Sequence, residues 1–210
     1  MRKDLTDITM VVDRSGSMES IKADAEGGVN TFVNEQKNAL GAALLTLVQF
    51  DNEYEFVHSG VPIQRVSRFK LVPRGSTALL DAVGRAINET GARLAAMEES
   101  QRPGLVVFVI VTDGQENSSR EFNRDQIRKM IEHQQTVYSW HITFLAANQD
   151  AFAEGTSLGI AAAGIANYSA DKIGGAHMAT SRKVSRMRVS ASVGETVDNN
   201  FTEAEQNSML

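Results

Sequence analysis

Short runs of apolar residues alternate along this chain with longer stretches in which apolar residues recur every three or four positions. Runs of strand length occur at residues 8–12, 42–50, 105–111, 139–145 and 164–168. Continuous apolar runs of this size are typical of strands buried on both faces of a parallel sheet. Helical spacing predicts helices at about residues 18–40, 77–94, 120–134, 150–158 and 171–189.

One segment has a different period. Residues 53–57 alternate polar with apolar side chains directly after the turn residues Asp51 and Asn52. This pattern favours an edge strand paired antiparallel to its predecessor. Together the segments predict an α/β fold: a doubly wound, mostly parallel central sheet with one antiparallel edge strand and helices on both faces.

The length of 210 residues suits one α/β domain. Residues 1–189 carry all the predicted elements, whereas residues 190–210 are polar and poor in large apolar groups. We therefore predict one domain over 1–189 and a flexible C-terminal tail over 190–210. The cations Arg182, Lys183, Arg186 and Arg188 on the last predicted helix are interpreted as a solvated face.

Composition narrows the possible functions. The net charge of −5 does not favour binding to nucleic acid or to an anionic membrane surface. The chain has no cysteine, which excludes disulfides and cysteine-bound zinc. No signal-peptide pattern and no apolar run of about 20 residues is present. We therefore expect a cytoplasmic protein with no nucleic-acid or membrane partner.

Oxygen-bearing side chains follow two of the predicted strands. Asp13, Ser15 and Ser17 come directly after the first strand, and Asp113 ends the strand at residues 105–111. Thr77 opens a predicted helix between them. Alone, each would be typical of a helix cap or a turn. Ligands of parallel sheets bind at the carboxyl ends of strands, so their joint occurrence predicts a site for Mg²⁺, or for Mn²⁺ or Ca²⁺.

These residues resemble the metal-ion-dependent adhesion site (MIDAS) of the von Willebrand factor A (vWA) family, whose pattern is Asp-x-Ser-x-Ser, then Thr, then Asp. Residues 11–18, 75–83 and 111–117 are similar to the family's three motif blocks, in its order and spacing, and the resemblance covers roughly residues 5–170. It implies that Ser15, Ser17 and Thr77 contact the metal, while Asp13 and Asp113 often act through water. Residues 145–152 are most similar to small stand-alone prokaryotic and phage-type members.

The resemblance implies a metal-dependent protein-binding module. The partner would present an Asp or Glu side chain or a C-terminal carboxylate to the ion, and self-association is possible. The loops around the site would select the partner through Arg14, Met18, Glu19, Arg74, Ser76, Gln115, Glu116 and Asn117.

Three alternatives remain open. The chain could be an accessory subunit of a AAA+ ATPase, as in chelatase-like systems, or a structural or assembly component of a phage particle. It could also be a metal-assisted phosphoryl or ester hydrolase with Asp13 as nucleophile. Phosphatases of the haloacid dehalogenase type carry a second Asp two residues on, where this chain has Ser15. We therefore expect a binding protein with no catalytic residues.

Overall fold

The computed structural model describes residues 1–147 and 151–210. Six strands form a single sheet in the order β3-β2-β1-β4-β5-β6. The strands are β1 (Arg2–Asp13), β2 (Ala42–Phe50), β3 (Tyr54–Pro62), β4 (Pro103–Thr112), β5 (His141–Ala147) and β6 (Ile165–Tyr168). All neighbouring strands are parallel except β2 and β3, which pair antiparallel at the edge. The predicted fold class is confirmed.

Helices cover both faces of the sheet. They are α1 (Lys22–Asn38), α2 (Leu79–Ala95), α3 (Arg124–Val137), α4 (Ala151–Ser157), α5 (Ile173–Val193) and α6 (Glu203–Asn207). One layer of the core lies between the sheet and α1 and α5, and the other lies between the sheet and α2, α3 and α4. Alternate residues of β1 enter the two layers because successive strand side chains point to opposite faces. Met10 and Val12 pack in the first layer, and Val11 packs in the second.

The two helices next to the predicted ligands begin later than the sequence predicts. Residues Gly16–Ile21 form a 3₁₀ turn, and α1 starts only at Lys22. Thr77 precedes α2 by two residues. The backbone of Thr77 is held by Asn117, which donates its own N–H to the Thr77 carbonyl and accepts the Thr77 N–H on its side chain. Tertiary hydrogen bonds thus replace the first helical turn that the local pattern favours.

The end of the chain differs from the predicted flexible tail. Helix α5 continues to Val193, and the following segment carries α6. Phe201 and Met209 are 6% and 1% exposed because they pack into the core layer beside α5. Glu205 forms an ion pair with Arg186 at 2.9 Å. Apolar packing and an ion pair thus attach a mostly polar segment to the domain.

The cations of α5 also differ from the predicted solvated face. Lys183 and Arg188 are 0% and 2% exposed, whereas Arg182 is exposed. In the described part of the chain, no helix is long and apolar enough to cross a membrane. Residues 148–150, part of the segment on which the phage-type resemblance depends, lie outside the described residues, as does the predicted helix start at residue 150.

Candidate metal centre

The sheet brings the two predicted carboxylates to one edge. Strands β1 and β4 are parallel neighbours, with Val12 paired to Val111. Asp13 is the last residue of β1, and Asp113 directly follows β4. Because the carboxyl ends of parallel strands meet at the same edge, these two residues, 100 positions apart in sequence, come together there. The proximity of the two carboxylates is therefore a consequence of the sheet order.

The loop after β1 joins the two carboxylates through hydroxyl groups. The Ser15 backbone N–H donates to Asp13 Oδ1 at 2.7 Å. Ser15 Oγ and Ser17 Oγ lie 3.0 Å apart, and Ser17 Oγ donates to Asp113 Oδ1 at 2.7 Å. Four of the five predicted ligand residues thus form one continuous hydrogen-bonded set. Ser15 is buried and Ser17 is exposed, so the set runs from the protein interior to the surface.

The atoms around Gly114 show that Thr77, the fifth predicted ligand residue, lies close to the other predicted ligands. A Cβ atom added to Gly114 would lie 3.1 Å from Thr77 Oγ1. The same point would be 3.6 Å from Ser17 Oγ and 3.8 Å from Asp13 Oδ2. Oxygens from the loop after β1 and from the loop before α2 therefore face the space in front of Gly114, in the third loop. A larger residue at position 114 would fill this space. The structure brings together all five residues that the sequence predicts as ligands.

Asp13 is buried, and Asp113 is partly buried. Burial raises the pKa of Asp13 to about 6, although hydrogen bonds from Thr112 and Ser15 oppose the shift. Burial also raises the pKa of Asp113, and the Ser17 hydroxyl opposes it. Within the described residues, neither carboxylate forms an ion pair with a basic side chain. Two desolvated acids without a cationic partner favour a bound cation.

Thr112 holds the Asp13 carboxylate by a hydrogen bond, and the sequence analysis did not identify this residue. Thr112 Oγ1 donates to Asp13 Oδ2 at 2.6 Å, and Tyr168 donates its hydroxyl to the Thr112 carbonyl at 3.1 Å. Thr112 and Tyr168 are 0% and 1% exposed. These contacts orient the Asp13 carboxylate. A hydroxyl residue next to Asp113 was the only available sequence signal, and it is too common to be specific.

Asp51 joins two of the three loops. It is 1% exposed and accepts hydrogen bonds from Arg14 Nε at 3.0 Å and Arg74 Nε at 2.7 Å. Its backbone carbonyl also accepts the Ala78 N–H at 2.9 Å. Arg14 immediately precedes Ser15, and Ala78 immediately follows Thr77. Asp51 therefore holds the loop after β1 and the loop before α2 in a fixed relation.

The loop after Asp113 is fastened by Glu116 and Asn117. Glu116 accepts backbone N–H groups from Leu80, Ser118 and Ser119 at 2.7–2.9 Å. The Leu80 contact is at the first turn of α2, where a carboxylate satisfies free N–H groups and complements the helix dipole. These two residues, predicted to contact a partner, are thus engaged in holding the loops together.

Of the other residues predicted to contact a partner, some are buried and some are exposed. Arg14 and Met18 are 4% and 0% exposed, so the structure does not present them to a partner. Arg14 is buried because its guanidinium pairs with Asp51 and Glu55, and Met18 packs in the core layer beside α1. The residues exposed around the site are Glu19, Arg74, Ser76 and Gln115. The exposed Arg74 is itself paired with Asp51.

The donor set fits a hard divalent cation. It consists of two carboxylates and three hydroxyls, the oxygen ligands that Mg²⁺ and Ca²⁺ prefer, and it holds no soft ligand. In residues 1–147 and 151–210, no three His, Asp or Glu side chains gather into another candidate cation site.

Comparison with solved structures identifies the fold. Proximal thread matrix protein 1 (PTMP1) from the mussel byssus superposes with a TM-score of 0.60 at 14% identity, over 86% of this chain and 46% of that one. The von Willebrand factor type A protein from Catenulispora acidiphila superposes with a TM-score of 0.59 at 13% identity, over 86% and 43%. This chain has a von Willebrand factor A fold.

A third vWA-like structure extends the comparison to an adhesin. The pilus adhesin SpaC from Lactobacillus rhamnosus GG, in an open conformation, superposes with a TM-score of 0.62 at 15% identity, over 86% of this chain and 30% of that one. This chain spans less than half the length of each of these proteins. No protein-family model matches the sequence, and no curated protein is similar to it.

Proposed function

We propose that this vWA fold is a protein-binding module that acts through a divalent cation at a MIDAS. The observation that carries the proposal is the convergence of oxygens from two separate loops on the space in front of Gly114, which lies in a third loop. Asp13, Ser17 and Thr77 face that space, although they lie up to 64 positions apart in sequence. A set of hydrogen-bonded caps and turns would not require such convergence.

Ser15, Ser17 and Thr77 would hold the ion with their hydroxyls, and Asp13 and Asp113 would balance its charge. We propose Mg²⁺, with Mn²⁺ or Ca²⁺ as substitutes, because the ligands are hard oxygens. A structure of the mussel PTMP1 with a zinc-occupied MIDAS motif, at 16% identity and a TM-score of 0.57, supports a divalent cation at this place in the fold. When bound, the ion would act as a Lewis acid toward an oxygen of the partner.

The partner in this proposal is a protein that presents an Asp or Glu side chain or a C-terminal carboxylate. A carboxylate suits the site because two protein carboxylates neutralise a divalent ion without closing its coordination shell. The similarity to a pilus adhesin supports a protein partner. The chain binds in this proposal and has no catalytic residue. A cytoplasmic location and a prokaryotic or phage-type origin stay predictions from the sequence.

Calorimetric titration with Mg²⁺ and Mn²⁺ tests the metal. We expect one ion per chain for the wild type, and at least about a tenfold loss of affinity for Asp113→Ala and Ser17→Ala. Asp125→Ala is the matched control, since Asp125 is an exposed acid on α3 that pairs with Lys129. Equal binding by the wild type and Asp113→Ala would contradict the metal site.

Affinity capture from host lysate tests the partner. The immobilised wild type is compared with Asp113→Ala and Asp125→Ala, each with Mg²⁺ and with EDTA. We expect partners that are captured by the wild type and by Asp125→Ala only when Mg²⁺ is present, and not by Asp113→Ala. A set of partners that is unchanged by EDTA would show that the metal stabilises the fold without mediating binding.

A further inference from the structure

A cleft of about 520 Å³ lies beside the metal centre. It is bounded by the turn between β2 and β3, the beginning of α2 and the loop that precedes α3. Ser76 and Ser118 belong to its lining, and they are direct neighbours of Thr77 and Asn117. The cleft therefore shares two of its walls with the metal centre, on the side of α2.

The carboxylates that line the cleft are already engaged. Asp81 accepts the backbone N–H groups of three consecutive residues in the loop before α3, at 2.8–2.9 Å. Glu121 is paired with Arg85, and Glu53 is paired with Arg74. None of these acids is thus available to bind a basic ligand without losing an internal contact.

The polar groups of the cleft that have no partner are hydrogen-bond donors, in contrast to the engaged carboxylates. In the part of the chain that the structure describes, the Tyr54 hydroxyl and Ser118 Oγ are buried and have no hydrogen-bond partner. Burial raises the pKa of Tyr54, so its hydroxyl keeps its proton and can donate. Three exposed side chains in the lining also have no partner within the described residues: Asn52, Ser76 and Arg120. All five can donate a hydrogen bond.

We propose that this cleft binds a second acidic side chain of the partner, adjacent to the carboxylate at the metal. The inference rests on the proposed function. Arg120 is the one charged side chain in the lining that the described structure leaves unpaired, and it is a cation. A carboxylate is the complementary side chain because it accepts several hydrogen bonds and offers negative charge. The partner motif is therefore two acidic residues close in sequence.

The cleft offers little apolar surface to an apolar side chain of a partner, which is the alternative ligand. Its apolar lining consists of Phe50, which is 1% exposed, and the small residues Ala78 and Ala82 beside the Tyr54 ring. An aliphatic side chain in this position would displace water from the exposed Asn52, Ser76 and Arg120 side chains without replacing the lost hydrogen bonds, which is costly. The polar groups thus select a ligand that can accept their hydrogen bonds.

The first test probes the cleft without metal. Glutarate is titrated in EDTA into ¹⁵N-labelled wild type, Arg120→Glu and Arg182→Glu. Arg182 is an exposed cation on α5, so its variant is matched in charge. We expect saturable shifts of the Ser118 and Arg120 amides in the wild type and in Arg182→Glu, and no shift of the Ser118 amide in Arg120→Glu. Absence of these amide shifts in the wild type would overturn the inference, whether or not the protein binds a metal ion.

The second test joins the cleft to the metal. Two peptides, one with a single Glu and one with a second Asp two residues on, are compared in Mg²⁺ by fluorescence anisotropy. We expect the two-acid peptide to bind the wild type about tenfold more tightly. Arg120→Glu should lose this advantage and keep Mg²⁺-dependent binding of the single-Glu peptide. Equal affinities in the wild type would overturn the inference. Absence of Mg²⁺-dependent binding with intact glutarate shifts would instead contradict the proposed function.

Discussion

Two buried carboxylates of this fold, Asp51 and Asp7, have different structural roles. Asp51 lies between Arg14 and Arg74 and joins two loops of the metal centre. Asp7 lies in the middle of β1 and accepts two hydrogen bonds from Arg93 on α2, at 2.7 and 2.8 Å. Asp51 and Asp7 are 1% and 0% exposed. Their burial is matched, but only Asp51 is bonded to the residue next to a predicted ligand.

We predict that Asp51→Asn and Asp7→Asn separate metal affinity from stability. Each should lower the free energy of unfolding by about 3 kcal/mol, because each removes a buried carboxylate that is ion-paired with a guanidinium. Only Asp51→Asn should also weaken Mg²⁺ binding, by about tenfold, because Ser15 and Thr77 lose their fixed relation. Urea unfolding and calorimetry measure the two quantities. Equal loss of affinity in both variants would show that the effect is general destabilisation.

At the scale of elements, α5 packs against the sheet with a lysine at its centre. Lys183 Nζ donates to Thr143 Oγ1 at 2.9 Å and lies 3.9 Å from the centre of the Phe201 ring. No acid forms an ion pair with Lys183 within the described residues, and burial lowers its pKa to about 7. The segment that carries Phe201 thus covers an amine that loses its charge near neutral pH.

Stability is therefore expected to rise with pH above neutrality. Between the folded pKa of about 7 and the unfolded value of about 10.4, the unfolded state binds more protons than the folded state. The cost of burying the charge is present in full below about pH 7 and disappears as the pH approaches 10. From pH 7 to pH 9 the wild type should gain about 2 kcal/mol relative to Lys183→Met.

Urea unfolding at the two pH values measures this difference. Lys172→Met, at an exposed lysine just before α5, serves as the control and should follow the pH dependence of the wild type. A constant difference between the wild type and Lys183→Met across this range would show that Lys183 keeps its charge in the folded state.

For the whole molecule, the metal centre connects parts of the chain that are remote in sequence. Its residues come from the end of β1, the loop before α2 and the end of β4. An ion held by all three loops would bind the folded chain and not the unfolded one. Binding and global stability should therefore be linked.

We expect Mg²⁺ at about 100 times its Kd to stabilise the wild type by about 2.7 kcal/mol. For a chain of this length, this corresponds to a rise in Tm of about 5–10 °C. EDTA should reverse the rise, and Asp113→Ala should show little of it. Differential scanning calorimetry makes the measurement. The same rise in Asp113→Ala would mean that the ion stabilises the chain from another place.

The sequence by itself determined the sheet and the candidate ligands. Apolar runs of strand length must be buried on both faces, which predicts a parallel sheet, and Asp13 and Asp113 stand where two such runs stop. The alternation at residues 53–57 also predicted the antiparallel edge strand β3. These features are local because each depends on side-chain period and on residues adjacent in sequence.

Only the tertiary structure decided which polar residues are buried. Arg14, Asp51 and Lys183 are charged, so their sequence favours the surface, and they are buried because distant partners satisfy them. Contacts with residues distant in sequence also place Phe201 and Met209 in the core, although both belong to a mostly polar segment. Long-range contacts have no period along the chain. The ligands could therefore be predicted from the sequence, whereas the supports of the site and its adjacent cleft could not.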